Sequence, residues 1–406
     1  MSTELVEHCI DVDDLQIGMF VCRLDRPWED TPFPLQGVEL TREQDIQTIR
    51  DLCRYVYVDA RRMVAYTPRP MLTRTHLATL RFRAAVRYDD GTTVEQELPR
   101  VRGALENASA MVARISDDIV SGRELSVELV EQAIRPLVSS VLRNADAFFW
   151  IDGLRQRDSY SYSHAINCSA LAAIFGRHMG FAEETIISLA AGGLLMDVGK
   201  TSLPESLLQF QGSLTAHEVD LARSHVTHGL AIVAGSDITD EDVIDIVRTH
   251  HERHDGSGYP HGLSGSDIPL TGRMLGIIDT YDAMTSDRPY RAAISRHHAL
   301  RQIYAARDQW FQAELVEQFQ VCLGVYPTGS LVELSTGEVA IVMAQNHARR
   351  LRPRVAILST PDRHPVTEFR VMNLMDQGKA GSPVEIVCTL AAGDFSIDHA
   401  ELFLRQ

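Results

Sequence analysis

The chain has 406 residues, 45% hydrophobic and 23% charged, a globular composition rather than a disordered, collagenous or coiled-coil one. Asp and Glu (55) outnumber Lys and Arg (39), a net charge of −16, so counterion release offers little and a nucleic-acid polymer is excluded as a general partner. A small anion can still enter through a locally positive pocket.

The six cysteines are scattered and form no CxxC pair. That argues against a disulfide framework or zinc knuckle and fits a reducing cytoplasm. The N-terminal stretch MSTELVEHCIDVDD is acidic, unlike a signal peptide. The longest apolar stretch, around Leu189–Met196, falls far short of the ~20 residues that span a bilayer.

The length suits two or three domains. The expected fold class is mainly α: a helical bundle, a small α+β domain before it and a small β-rich appendage after it. Residues 1–68 form the α+β domain. In it, Met19–Leu24 reads as a strand, and the proline-rich Asp25–Gly37 as an ordered turn. Thr41 is placed to cap a helix, with Gln44 completing a capping box, and Tyr55–Asp59 (YVYVD) alternates as a strand does.

Residues 69–145 are expected to be a linker, basic and polar to about residue 100, and then a helical connector, with Val127–Leu142 amphipathic and carrying Pro136. Residues 146–324 have helical periodicity, including His164–Met179 and Glu183–Met196. From residue 325 the pattern changes. Leu331–Leu334, a Ser-Thr-Gly-Glu turn and Val339–Ala344 predict a hairpin. Arg354–Leu358 and Val384–Leu390 continue the β character to 406.

Histidine is the informative residue. Nine of the sixteen fall between His164 and His261. Neutral imidazole is the commonest transition-metal ligand, and carboxylates complete Fe, Mn or Zn sites; Asp197, Asp279 and Asp282 are the nearby candidates. Four strings stand out: RDSYSYSHAINC with His164, GLLMDVGKTSLPESLL with Asp197 and Lys200, RSHVTHG with His225 and His228, and the long string from Thr249 through HHERHDGSGYPHGL and DTYDAMTSDRPYR. Neighbouring His250 and His251 point ~100° apart on a helix, so they face one cavity only at a helix end or over a wide inner face. Asp197 and Lys200 are i,i+3 neighbours and share a face. No single string makes a metal site, so the ligands must come from several helices.

On these strings the sequence resembles the HD-GYP family, a branch of the HD superfamily of metal-dependent phosphohydrolases, over about residues 155–320. The first ~68 residues also resemble a domain of unknown function often found before HD-GYP domains. The resemblance implies hydrolysis of cyclic di-GMP to pGpG or on to GMP by two divalent metal ions, Fe or Mn. It assigns His164, Asp197, His225, His250, His251 and Asp279 as metal ligands, with Asp197 bridging. Lys200 falls on the lysine that faces the leaving oxygen, Arg288 and Arg291 on phosphate-binding positions, and Gly258, Tyr259 and Pro260 on the loop that names the family.

The signature His-Asp reads Met196-Asp197 here. A thioether suits a hard Fe or Mn centre poorly, so one metal site is expected to be weak or empty. Tyr160 stands where some members carry a glutamate for a third metal, so three ions are not expected. The alternative reading is a catalytically degenerate receptor or scaffold that binds cyclic di-GMP or a partner protein without turnover. A hydrolase acting on another nucleotide is the third. Further partners considered are a diguanylate cyclase or other signalling protein, and a second copy of the chain.

Overall fold

The computed structural model describes residues 7–24, 31, 37–59, 86–154, 160–210, 212–286, 293–346, 351–376 and 383–390. The chain divides into two compact units, Met1–Phe82 with Asn346–Pro353, and Arg83–Gln345 with Arg354–Gln406.

In the first unit, strands β1 (Glu7–Asp11), β2 (Phe20–Leu24), β3 (Val38–Glu39) and β4 (Tyr55–Asp59) form an antiparallel sheet in the order β1-β4-β2-β3. The alternation read in YVYVD has its physical cause in burial. Val56 and Val58 are fully buried, in one cluster with Ile46 and Ile49 of helix α1 (Glu43–Leu52). The Thr41 capping box does not form. The helix starts one residue later, with Arg42 in the N-cap position, and Arg42 makes no side-chain cap but pairs with Asp45 at 2.8 Å. The proline-rich turn lies almost wholly outside the described residues.

The second unit holds the remaining helices. Helix α2 (Val94–Val120) opens on a capping box between Thr93 and Gln96, and Ser126 caps α3 (Val127–Arg143), which carries Pro136 internally. The expected linker thus ends at least as early as residue 93. The two helices are tied by Glu97, whose buried carboxylate accepts from Ser140 (2.7 Å), Arg143 (2.6 Å) and Arg100 (3.1 Å). Burial raises its pKa, but the hydrogen bonds from Arg143, Ser140 and Arg100 prevail and leave it lowered to about 2.

Next come α4 (Asp146–Leu154), α5 (Tyr160–His178) and α6 (Glu183–Leu195). Helix α6 is buried from Leu189 to Leu195 on every side, which is why its sequence lacks a polar face. A 3-10 turn (Val198–Ser202), α7 (Glu205–Leu208), α8 (Ala216–Arg223), α9 (His225–Ala234) and α10 (Glu241–Thr249) follow. Thr215 and Glu218 make a capping box on α8, and Asp240 caps α10. Helices α11 (Leu270–Thr285), α12 (Arg296–Ala305) and α13 (Ala313–Leu323) complete the bundle.

The hairpin read from sequence is present. Strands β5 (Leu331–Leu334), β6 (Val339–Ala344), β7 (Arg354–Ser359), β8 (Pro365–Asn373) and β9 (Ile386–Leu390) form an antiparallel sheet in the order β8-β7-β6-β5-β9. This sheet belongs to the same unit as the helices. Asp146 of α4 accepts from Thr328 (2.9 Å), and Arg354 of β7 pairs with Glu95 of α2 (2.8 Å).

Candidate metal centre

Five separate segments converge inside the bundle. His164 comes from the first turns of α5, and Asp197 from the start of the 3-10 turn after α6. His225 is the first residue of α9, His250 and His251 follow the last residue of α10, and Asp279 lies in α11. The histidine pair therefore sits at a helix end, as its divergent directions require.

Close packing makes the convergence possible. A Cβ on Gly199 would run into the backbone of His225 and Gly229, so only glycine lets the Asp197–Lys200 segment lie against α9. Gly258 is similarly confined: a Cβ there would meet Glu252 Cα and His251 O at 2.5 Å. That contact turns the Gly-Tyr-Pro loop back over the histidines. The Tyr259 N–H donates to His251 O (3.2 Å), and the Tyr259 ring stacks on the His251 ring at 4.6 Å. The buried Glu252 carboxylate anchors the rest of the loop through the N–H groups of His261 (2.8 Å) and Leu263 (3.0 Å).

Tautomers follow from hydrogen bonds. His225 Nδ1 donates to Ala222 O (2.7 Å), and His250 Nδ1 lies 3.1 Å from Ile246 O. A carbonyl only accepts, so each Nδ1 carries the proton and each Nε2 a lone pair. Burial keeps these rings neutral. It lowers the pKa of His225, takes that of His250 down to about 4, and holds His251 well below the ordinary value. The two Nε2 atoms lie 3.3 and 3.9 Å from Asp197 Oδ1, which also carries lone pairs. All three atoms are buried and without a hydrogen-bond partner. Three acceptors facing one another in a buried place are stabilised by a cation. Asp197, His225, His250 and His251 offer ligand atoms within 4.8 Å of one another.

A second arc joins the first at Asp197. His164 Nε2 lies 3.4 Å from Asp197 Oδ2 and 3.2 Å from Asp279 Oδ1, and His251 Nδ1 is 3.7 Å from Asp279 Oδ2. On its other side, His164 Nδ1 meets Asp282 Oδ2 at 2.7 Å. Asp282 is itself held by Asn167 (2.9 Å) and Ser286 (3.2 Å). Burial opposes charge on His164, yet the neighbouring Cys168 sulfur and the hydrogen bonds to Asp197, Asp279 and Asp282 prevail and raise its pKa well above the usual range. Burial likewise pushes the Asp197 carboxyl up, and Lys200 and His164 pull it well below. Cys168 Sγ rests 3.7 Å from His164 Nδ1, its thiol raised by burial to about 12.

Lys200 Nζ lies 2.5 Å from Asp197 Oδ2, so the i,i+3 spacing does bring ammonium and carboxylate together. Met196 is completely buried beside Asp197 in sequence and brings no nitrogen donor. Arg288 and Arg291 lie outside the described residues. Asp282, read from sequence as a nearby candidate carboxylate, holds His164, while two further residues around the centre, Glu252 and Arg223, were not assigned to it from sequence. Asp282 had a signal, since it is i+3 from Asp279 on one helix. Glu252 had only its place beside the histidine pair, and Arg223 only its place at the start of RSHVTHG.

Residues 145–315 match the HD domain family, and residues 7–130 match a domain of unknown function (DUF3391). The second match runs through α2 into the start of α3, well beyond the four-stranded module. A cyclic di-GMP phosphodiesterase of Pseudomonas aeruginosa is 29% identical over 93% of this chain and 91% of its own length. A cyclic di-GMP phosphodiesterase of Thermotoga maritima is 33% identical over 40% of this chain and 45% of its own. A cyclic di-GMP phosphodiesterase response regulator of Xanthomonas campestris is 32% identical over 47% and 49% respectively. No described helix is long and apolar enough to cross a membrane. The Gly-Tyr-Pro loop folded over a histidine–aspartate cluster thus lies in the region that matches the HD domain family, with the match to the domain of unknown function preceding it.

Proposed function

We propose that this chain is a metal-dependent phosphodiesterase that hydrolyses cyclic di-GMP. The observation that carries the reading is the set of lone pairs on His225, His250 and Asp197, buried and unpartnered around one point. The relatives named for the same reaction supply the substrate. His225, His250, His251 and Asp197 would hold one divalent ion, and His164, Asp279 and the other oxygen of Asp197 a second, with Fe or Mn the hard cations such donors favour. When bound, such ions polarise phosphate oxygens and lower the barrier to attack on an anionic diester.

The protein's own groups do the rest. Asp282 fixes the tautomer and plane of His164. The Lys200 ammonium, part-exposed beside Asp197, would neutralise or protonate the leaving oxygen. The Tyr259 ring covers His251, and with Gly258 and Pro260 it would bound the substrate on that side. Arg288 and Arg291 remain the phosphate-binding candidates that the family pattern names.

One observation favours a second reading, binding without turnover. Met196 brings a thioether where the His-Asp pattern has imidazole, so the arc holding His164 and Asp279 is one nitrogen short. Metal content of protein purified without oxygen, measured alongside cyclic di-GMP hydrolysis, separates the two. The phosphodiesterase reading expects bound metal and product. Tight binding of the dinucleotide with no product supports the receptor. Met196→His is expected to raise both metal content and turnover; if neither changes, the missing nitrogen is not what limits the centre.

A further inference from the structure

Arg223, the last residue of α8, stands two positions before His225 and is exposed. Its guanidinium carbon lies over the Tyr259 ring at 4.9 Å, and that ring stacks in turn on His251. Tyr259 also meets the His225 ring edge-on at 6.5 Å. Arg223 makes no ion pair among the described residues. In a chain with 55 acidic and 39 basic residues, an arginine without a carboxylate partner beside a metal-ligand cluster calls for an explanation.

The chemistry supplies one. An arginine held on an aromatic face by a cation–π contact loses conformational freedom, while its N–H groups stay available. Guanidinium recognises phosphate through paired N–H···O bonds, and pre-organisation lowers the entropy cost of forming them. Lys200 is paired with Asp197, and Arg223 offers a further cation for the charge of a bound diester.

We infer that Arg223 is a phosphate-binding residue of this centre, held over Tyr259 so that its guanidinium receives a non-bridging phosphate oxygen of the substrate. The inference rests on the phosphodiesterase reading for the identity of the substrate, though not for the binding of phosphate itself. It also assigns Tyr259 a second task. Besides covering His251, the ring is the platform that sets the arginine.

The test uses the full chain loaded with Mn(II) and two probes, inorganic phosphate and cyclic di-GMP. Arg223→Gln is expected to weaken phosphate binding, measured by calorimetry, about tenfold, the loss of one charge-assisted contact. The KM for cyclic di-GMP rises by a similar factor, with a smaller change in kcat. Metal content and thermal midpoint stay at wild-type values, and Arg223→Lys recovers part of the phosphate affinity. Unchanged phosphate affinity in Arg223→Gln overturns the inference. So does a parallel loss of metal, which would make Arg223 a prop for the ligands. A wild-type chain that binds phosphate but neither binds nor cleaves cyclic di-GMP defeats the substrate reading alone. The Arg223 assignment then stands or falls on the phosphate measurement.

Discussion

His225 Nε2 and Asp197 Oδ1 face each other across 3.3 Å with no proton to share, because the one proton on the His225 ring is committed to Ala222 O. Such a contact is repulsive until a cation enters it. Asp197→Asn removes the charge while keeping the shape. It is expected to abolish metal uptake by the full chain and the stabilisation that added Mn(II) gives the wild type. Elemental analysis and thermal melts with and without Mn(II) check both. Undiminished metal in the variant removes Asp197 from the ligand set.

Asp282 touches no proposed ion and acts through His164. Removing it frees the imidazole to turn and to exchange tautomers. Asp282→Ala is expected to lower metal affinity by about 10- to 100-fold, read by competition with a chelator of known strength. Asp282→Asn, which still accepts from His164 Nδ1, recovers part of it. Equal losses in the two variants would indicate disrupted packing rather than orientation.

Gly199 tests whether close backbone approach builds the centre. Alanine there meets the backbone of His225 and Gly229, neither of which can turn aside as a flexible side chain can. The variant is expected to lose about 3 kcal/mol or more of stability, or to shift Asp197 away from α9 and lose metal instead. Urea melts and metal analysis together cover both outcomes; a variant normal in each shows that the turn has slack.

Glu97 predicts a pH dependence away from the centre. Its folded pKa is lowered to about 2 from the usual 4.5. The carboxylate thus adds stability that is fully present above the unfolded value and is lost as pH falls from about 4.5 towards 2. Glu97→Gln is expected to be less stable than wild type by about 3 kcal/mol at pH 7, and the gap narrows as pH drops through that window. Denaturant melts between pH 7 and pH 3 measure it. A gap that stays constant means the carboxylate charge is not the source.

Much of this was legible because the residue types are unusual for their places. Histidines and aspartates at this density have few other uses, and all six expected ligands lie in one cluster. YVYVD was readable as a strand because one face of it is fully buried at Val56 and Val58. What escaped depends on partners distant in sequence. Asp282 could be seen as a candidate carboxylate, but its task depends on His164, 118 positions away. Arg223 is an ordinary helix-end cation until Tyr259 is folded beneath it. The Thr41 cap failed for a local reason: a one-residue shift of helix start is invisible to composition, and Arg42 with Asp45 competes for the same turn.

The five-segment origin of the ligands has a mechanical consequence. An ion at their meeting point adds a cross-link between packed segments that are well separated along the chain, and closing such circuits removes freedom from the unfolded polypeptide. Chelation would then slacken α5, α9, the end of α10 and α11 together. The bundle's rigidity and its chemistry are in this way set by the same occupancy.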